Sequence, residues 1–553
     1  MTIPRRTFVL RSTATAAGVA LGGSSMLAAG SADVGQHAGP HTGQAAGQHA
    51  SPADLVLRGA TVYDGLGNTP VTADVAVTGG RITAIGPNLA AADNALDLNG
   101  LALAPGFIDI HSHTDTQLAR DPRADSKVRQ GVTTEVAGQD GSSVTGGEFG
   151  DVAGFLRWVD ANGAAVNMAS MIGAGTVRGA VIGNADRRAT PAELQRMQQL
   201  IRDALAGGAC GISTGLEYTP GAFADTAELE ALASVLRGTG LPFASHMRNE
   251  DDRLVAAMEE VIGIGHRAGV PVQVSHLKAQ GERNWWKTDV AFGIIEAARD
   301  AGIDAMFDVY PYVAYSTGLS NLFPITAREG GTDAFLRRLQ DPATAPDIER
   351  AVRDKIAMLG DWDAVQLTAA GSQEYAWVAG QRLGALAQRR NTEPYALLLD
   401  IIIGDRSRTR MVGFGMSEEN VERKLAHPHS MICSDGGAMT RGDGTPHPRN
   451  YGAFPRVLGH YVRERGIMPL ETAIAKMTSI PARRLGFTDR GRIAVGAAAD
   501  LVAFDPATVA DRATFEDPHQ FPVGIPHVIV NGTFVIRDGE HTGARPGRAV
   551  RPG

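Results

Sequence analysis

Cysteine is nearly absent. The 553 residues hold two, Cys210 and Cys433, which is too few for a disulfide framework. Both lie among apolar or small residues, which predicts two buried free thiols. No basic block follows the first residues and the formal net charge is −8, so nucleic acid is not an expected partner. The one stretch that could anchor the chain in a membrane, residues 13–29, is diluted with Ala, Gly and Ser and is too weakly apolar to hold well. Hydrophobic residues at 43% and charged residues at 20% are ordinary for a soluble globular enzyme. The length suits one large α/β domain plus a smaller one.

What is present begins with a targeting segment. Arg5-Arg6-Thr7-Phe8-Val9-Leu10 resembles a twin-arginine export signal, and small residues at Gly30, Ser31 and Ala32 suit a signal peptidase. Residues 1–32 are therefore expected to be a signal peptide. The protein is expected to be exported, periplasmic or extracellular, without a stable membrane anchor. Residues 33–53 read as a flexible linker whose His37, His41 and His49 are expected to be solvated, with weak metal binding as the alternative.

Beyond the linker, 55–64, 74–79 and 81–86 are short β-prone runs separated by glycine-containing turns. The chain then alternates. Strand-like runs fall at 107–113, 133–138, 167–173, 211–215, 242–247, 271–277, 304–310 and 430–435. Segments with apolar residues at helical spacing lie between many of them, as at 191–206, 226–237, 251–267 and 289–301. Eight strands with intervening helices predict a closed (β/α)8 barrel over 105–485, with a doubly wound open sheet as the alternative. Residues 320–425 exceed a normal connection and carry helical segments of their own at 347–359, 395–403 and 418–425, so an insertion over the barrel mouth is expected. A helix is expected at 469–485. The β-prone runs at 493–505 and 527–536 predict that the chain ends, 54–104 and 486–545, meet in one small β-domain.

Metal-capable residues cluster in this pattern. His111-Ser112-His113 closes the apolar run LALAPGFIDI, and two histidines one residue apart project to the same side of a strand. Asp140 follows the second strand, His246 ends the fifth, His276 the sixth and Asp435 the eighth. In a β/α barrel these strand ends form one rim, where active sites lie. Four histidines and two aspartates gathered there predict a divalent-metal site. Such a metal polarises an amide carbonyl and lowers the pKa of its water to about 7. A neighbouring acceptor must take that proton and return it to the leaving nitrogen. Asp435 is suited, being followed by Gly436-Gly437, which leave room for substrate.

The motifs GFIDIHSHTD, GISTGLEYTPG, SHMRNE, VSHLKAQG, SDGG with HPRNYGAFPRVLG, and TSIPARRLGFTDRGRIAVGAAADLVAFDP resemble the amidohydrolase superfamily, and within it the D-aminoacylase (N-acyl-D-amino-acid deacylase) family. The resemblance covers residues 54–545. It implies a barrel with a flanking β-sandwich and zinc-dependent hydrolysis of N-acyl-D-amino acids, a small-molecule substrate. By position it makes His246 and His276 ligands of a tightly held Zn²⁺. His111 and His113 become ligands of a second, weaker or vacant site, and Asp435 the catalytic acid/base. Tyr218, Lys278 and Arg449 match positions that hold the substrate α-carboxylate, with Arg441 near enough to compete. The chain departs from the family at Gln139-Asp140-Gly141, where the family has Asn-Cys-Gly with a zinc-binding cysteine. Aspartate is a harder ligand, so Co²⁺, Mn²⁺ or a two-metal arrangement becomes possible. Glu217 is a second carboxylate whose role stays open. No lysine ends the fourth strand, which counts against a carbamylated-lysine bridge. Hydrolysis of D-peptides, isoaspartyl peptides or cyclic amides is the alternative within the superfamily, and an exported binding protein without turnover the alternative outside it. The aromatic segment Tyr310–Ser316 is expected to line the pocket and to favour apolar substrates over acidic ones.

Overall fold

Parallel strands joined by helical crossovers of one hand curl until the sheet meets its own edge. The protein follows that course in a computed structural model, which describes residues 53–553 apart from 91, 93 and 116. The expected export signal and nearly all of the expected linker lie outside the described residues. The barrel strands are, in chain order, Phe107–Asp109, Val132–Ala137, Asn167–Ser170 continued by Ile172–Gly173, Ile212–Gly215, Phe243–His246, Val272–Val274, Ala305–Val309 and Ser430–Ile432. All their residues except Met306 are buried, because helices cover one face of the sheet and the barrel core the other. Registers place Gly215 beside His246, Val274 beside Phe307 and Val309 beside Ile432. The ring closes between the first and eighth strands. There the Asp435 amide donates to the His111 carbonyl, and the His113 amide to the Gly436 carbonyl, each at 2.9 Å. Closure excludes the open doubly wound sheet.

The strand-like runs 107–113, 271–277 and 430–435 outlast the ladders, which stop at Asp109, Val274 and Ile432. Two of these runs turn into left-handed backbone a few residues later, at His276 and Asp435, as does the loop after the second strand at Asp140. Asp140, His276 and Asp435 sit at φ 53°, 34° and 51°, in the left-handed region that costs a non-glycine residue about 1–3 kcal/mol. Each leaves the ladder at the same rim. Strain of this kind persists only where the surroundings impose it, and it concentrates at functional sites.

Helix chemistry matches the sequence pattern. Pro191–Ala206 opens with a capping box between Thr190 and Glu193 and ends at Gly207. The expected helix 469–485 is two helices, Leu470–Met477 and Ser479–Arg484, since Pro481 offers no N–H to the carbonyl of Met477. Within the insertion the helices Ala345–Leu359 and Pro394–Gly404 match the expected ones, but the scaffold is a sheet that periodicity did not reveal. Arg410–Phe414 runs antiparallel between Ala314–Gly318 and Val365–Ala369. Each of these strands has five residues, and their partners lie tens of residues away, so no local turn announces them. The helix Glu418–Ala426 packs on the seventh and eighth barrel strands and belongs to the barrel.

The chain ends meet in one sheet, where Ala102–Pro105 pairs antiparallel with Leu501–Phe504. The sheet folds back so that Ile82 donates to the carbonyl of Ala497 at 2.9 Å. It encloses its own core of Leu55, Leu57, Val75, Leu103, Leu501 and Ile529.

Candidate active site

All six rim residues singled out as metal-capable face one another. One donor atom from each of His111, Asp140, His276 and Asp435 lies within 4.8 Å of the others, and His246, Glu250 and His276 form a second such group. His276 belongs to both. Its Nε2 is 3.2 Å from Asp140 Oδ1 and 2.9 Å from His246 Nδ1. His111 Nε2 lies 3.4 Å from Asp140 and 3.6 Å from Asp435. His113 Nε2 is 3.0 Å from Asp435 Oδ1 and 3.5 Å from Asp140 Oδ2.

The donor set fits a divalent cation. Among the described residues, both ring nitrogens of the fully buried His111, and Nε2 of His246, form no hydrogen bond although carboxylates approach within 3.3–3.9 Å. A buried nitrogen left unpaired costs about 1–3 kcal/mol. Burial pushes the Asp140 carboxyl up, but His276, His111 and His246 around it hold it well below the usual carboxylate range. Burial pushes His246 down, yet Glu250 and Asp140 carry it up to about 10. The carboxylates gathered here call for positive charge beside them, which a bound cation would supply.

Two carboxylates had no role assigned from the sequence. Glu250 Oε1 is 3.1 Å from His276 Nδ1 and 2.8 Å from Lys278 Nζ. Asp308 accepts from the His276 amide at 2.8 Å and approaches His111 Nδ1 at 3.3 Å. Carboxylates on the far nitrogen of an imidazole fix its orientation and leave the near nitrogen for a metal. Glu250 ends the motif SHMRNE and Asp308 lies near the end of the seventh strand, so position at the rim was the available signal.

Beneath the rim the fully buried Lys127 holds the Asp435 loop. Its Nζ donates to Asp109 Oδ2 at 2.8 Å, to Ser434 Oγ at 2.7 Å and to the Gly436 carbonyl at 3.2 Å, and Glu135 lies 3.1 Å away. Burial pulls the Lys127 ammonium down, but Asp109 and Glu135 overcome it and raise its pKa. Lys127→Met should leave two carboxylates uncompensated and destabilise the fold by about 3–5 kcal/mol, read as a lowered midpoint in urea unfolding. A loss under about 1 kcal/mol would show that this network is not strongly stabilising.

The three expected carboxylate holders are at the site. Arg449 Nη1 donates to Asp435 Oδ2 at 2.6 Å, and its guanidinium lies 5.0 Å from the Tyr310 ring centre. Lys278 Nζ also meets His276 Nδ1 at 2.6 Å. The Tyr218 ring packs 4.7 Å from that of His246, and its hydroxyl is 3.2 Å from Thr317 Oγ1. Arg441 does not compete with Arg449, since its guanidinium lies over Phe521 at 5.6 Å. Glu217 approaches His246 Nε2 at 3.7 Å. Burial pushes the Asp435 carboxyl up, but Arg449 first, then His276 and His113, hold it below the carboxylate range. Gly436 and Gly437 face the cavity, yet a Cβ there would also strike Asn450, Gln117 and the His113 carbonyl, so close backbone packing requires them too. Both cysteines are buried free thiols.

His113, Asp140, Tyr218, Asp435 and Arg449 line a cavity of about 560 Å³, bounded on the other side by the insertion sheet. A closed β/α barrel with imidazoles and carboxylates on its carboxyl-end rim, flanked by a β-domain from both chain ends, defines the amidohydrolase class. The amidohydrolase family matches residues 94–536, and the chain belongs to it, in its D-aminoacylase branch. A D-aminoacylase of Alcaligenes xylosoxydans xylosoxydans is 38% identical over 518 residues, covering 90% of this chain and 98% of that one. The structure of an N-acyl-D-glutamate deacylase from Bordetella bronchiseptica, complexed with zinc and a phosphonate mimic of the reaction's tetrahedral intermediate, superposes with a TM-score of 0.78. It is 36% identical and covers 90% of this chain and all of its own. A D-aminoacylase structure described by its binuclear metal centre gives 0.77, with 37% identity over the same shares.

Proposed function

We propose that the protein hydrolyses the amide bond of N-acyl-D-amino acids, with a divalent metal held at the barrel rim. The observation that carries this reading is the clustering of four imidazoles, Asp140 and Asp435 at one barrel rim in a chain of this family. His246, His276 and Asp140 would hold a zinc ion, and His111 and His113, with Asp140 shared, a second. When bound, such an ion polarises the amide carbonyl and lowers the pKa of water.

The chain's own residues do the rest. Asp435 Oδ1, beside His113, takes the proton of the attacking water and passes it to the departing nitrogen. Arg449 holds the other oxygen of Asp435, which keeps the carboxylate ionised and aimed. Arg449 lines the cavity and would offer its guanidinium to a substrate α-carboxylate. Lys278, shared between Glu250 and His276, has a third donor for the same group. Tyr218 closes that side of the cavity. Export by the twin-arginine route, to the periplasm or beyond, is part of the proposal and rests on Arg5-Arg6.

The test is an assay of N-acetyl-D-amino acids, their L-enantiomers, dihydropyrimidines and small D- and isoaspartyl peptides, each with added Zn²⁺ or Co²⁺. The D-acyl series should be cleaved at least 100-fold better than the others. Preferred cleavage of a cyclic amide or a peptide would replace this reading, and no turnover of any amide would leave a binding protein.

A further inference from the structure

Of the segment expected to line the pocket, Tyr315 and Ser316 line it beside the histidines, while Tyr310 and Tyr312 do not. Tyr310 and Tyr312 are 3% exposed with unpaired hydroxyls, Tyr310 lying under Arg449 and Tyr312 against His447. The wall facing the metal-capable cluster is instead Ser316, Thr317, Gly318, Thr368, Ala369 and Arg410. In the larger cavity the aromatic basis for an apolar preference is therefore gone.

Arg410 is the unusual member of that wall. It opens the central strand of the insertion sheet, paired across with Gly318 on one side and Ala369 on the other, so no bulky side chain covers it. It is solvent-exposed, yet protein atoms crowd its guanidinium, as in a concave wall rather than a convex surface. Among the described residues no carboxylate lies within 4 Å of its guanidinium, which makes no hydrogen bond. The other cations of the site are committed, Arg449 in this cavity to Asp435 and Lys278 behind it to Glu250. Crowding and the like charge of Arg449 both pull the Arg410 pKa down. Two guanidiniums facing one cavity repel, and only one has an anion. An N-acyl amino acid with a neutral side chain brings one carboxylate, which the groups beside Asp435 can hold. A second carboxylate on the substrate would satisfy Arg410.

We propose that Arg410 is a specificity-determining residue that receives the side-chain carboxylate of an acidic N-acyl-D-amino acid. The proposal rests on the deacylase reading and adds the substrate class.

N-acetyl-D-glutamate and N-acetyl-D-glutamine differ in charge at nearly constant shape, so they isolate the effect. In the zinc-loaded full chain, kcat/KM should favour glutamate by at least tenfold. Arg410→Met should erase that ratio by raising KM for glutamate, leaving glutamine within threefold. Arg410→Lys should restore part of the ratio. A wild-type ratio near or below one overturns the proposal and leaves the deacylase reading intact. Equal losses on both substrates in Arg410→Met overturn it as well, because they assign Arg410 to the α-carboxylate. If neither substrate is cleaved while other amides are, the deacylase reading falls and this proposal with it.

Discussion

Asp435→Asn should lower kcat on an N-acyl-D-amino acid by about 10²–10⁴-fold while the bound metal stays. The side chain keeps its shape, and one oxygen can still accept from His113 or Arg449, which lie 3.0 Å and 2.6 Å from the carboxylate. What disappears is a group able to take a proton from water and return it to nitrogen. Some stability goes with the Arg449 ion pair, so the readout is kcat of folded, metal-loaded protein alongside elemental analysis. A kcat within tenfold of the wild type would remove Asp435 from the proton-transfer role.

His276→Ala should have the other large effect, through loss of metal rather than of proton transfer. His276 is the residue shared by both donor groups, 2% exposed, and tied at Nδ1 to Glu250 and Lys278. Its removal should lower metal content per chain and reduce activity at least 10³-fold, with partial recovery in excess Zn²⁺. His113 is 36% exposed at its side chain and its ring nitrogen approaches the carboxylates of Asp435 and Asp140, so His113→Ala should be milder on both measures. Equal losses in the two variants would contradict the ranking of sites.

Much of this arrangement was legible in the sequence because barrel physics is repetitive. Each buried strand ends at one rim, so a histidine or aspartate closing an apolar run is placed in space by its position in the run. That logic located His111, His246, His276 and Asp435. It overran the ladders where left-handed residues turn the chain inward, since φ at Asp140, His276 and Asp435 is set by tertiary contact rather than residue type. It passed over Glu250 and Asp308, whose partners lie on other strands. It missed the insertion sheet for the same reason, and with it Arg410, whose surroundings come from Gly318 and Ala369 far along the chain. Tyr310 and Tyr312 read as pocket residues because sequence cannot say which side of a wall an aromatic ring occupies.

Elemental analysis of the purified protein, with N-acyl-D-amino-acid hydrolysis measured before chelation, after it and after re-addition of Zn²⁺ or Co²⁺, is the most direct test. One or two equivalents of a divalent transition metal should accompany each chain, with activity lost on removal and regained on restoration. Full activity in metal-free protein would contradict the claim that His111, Asp140, His246 and His276 gather at the rim to hold a cation.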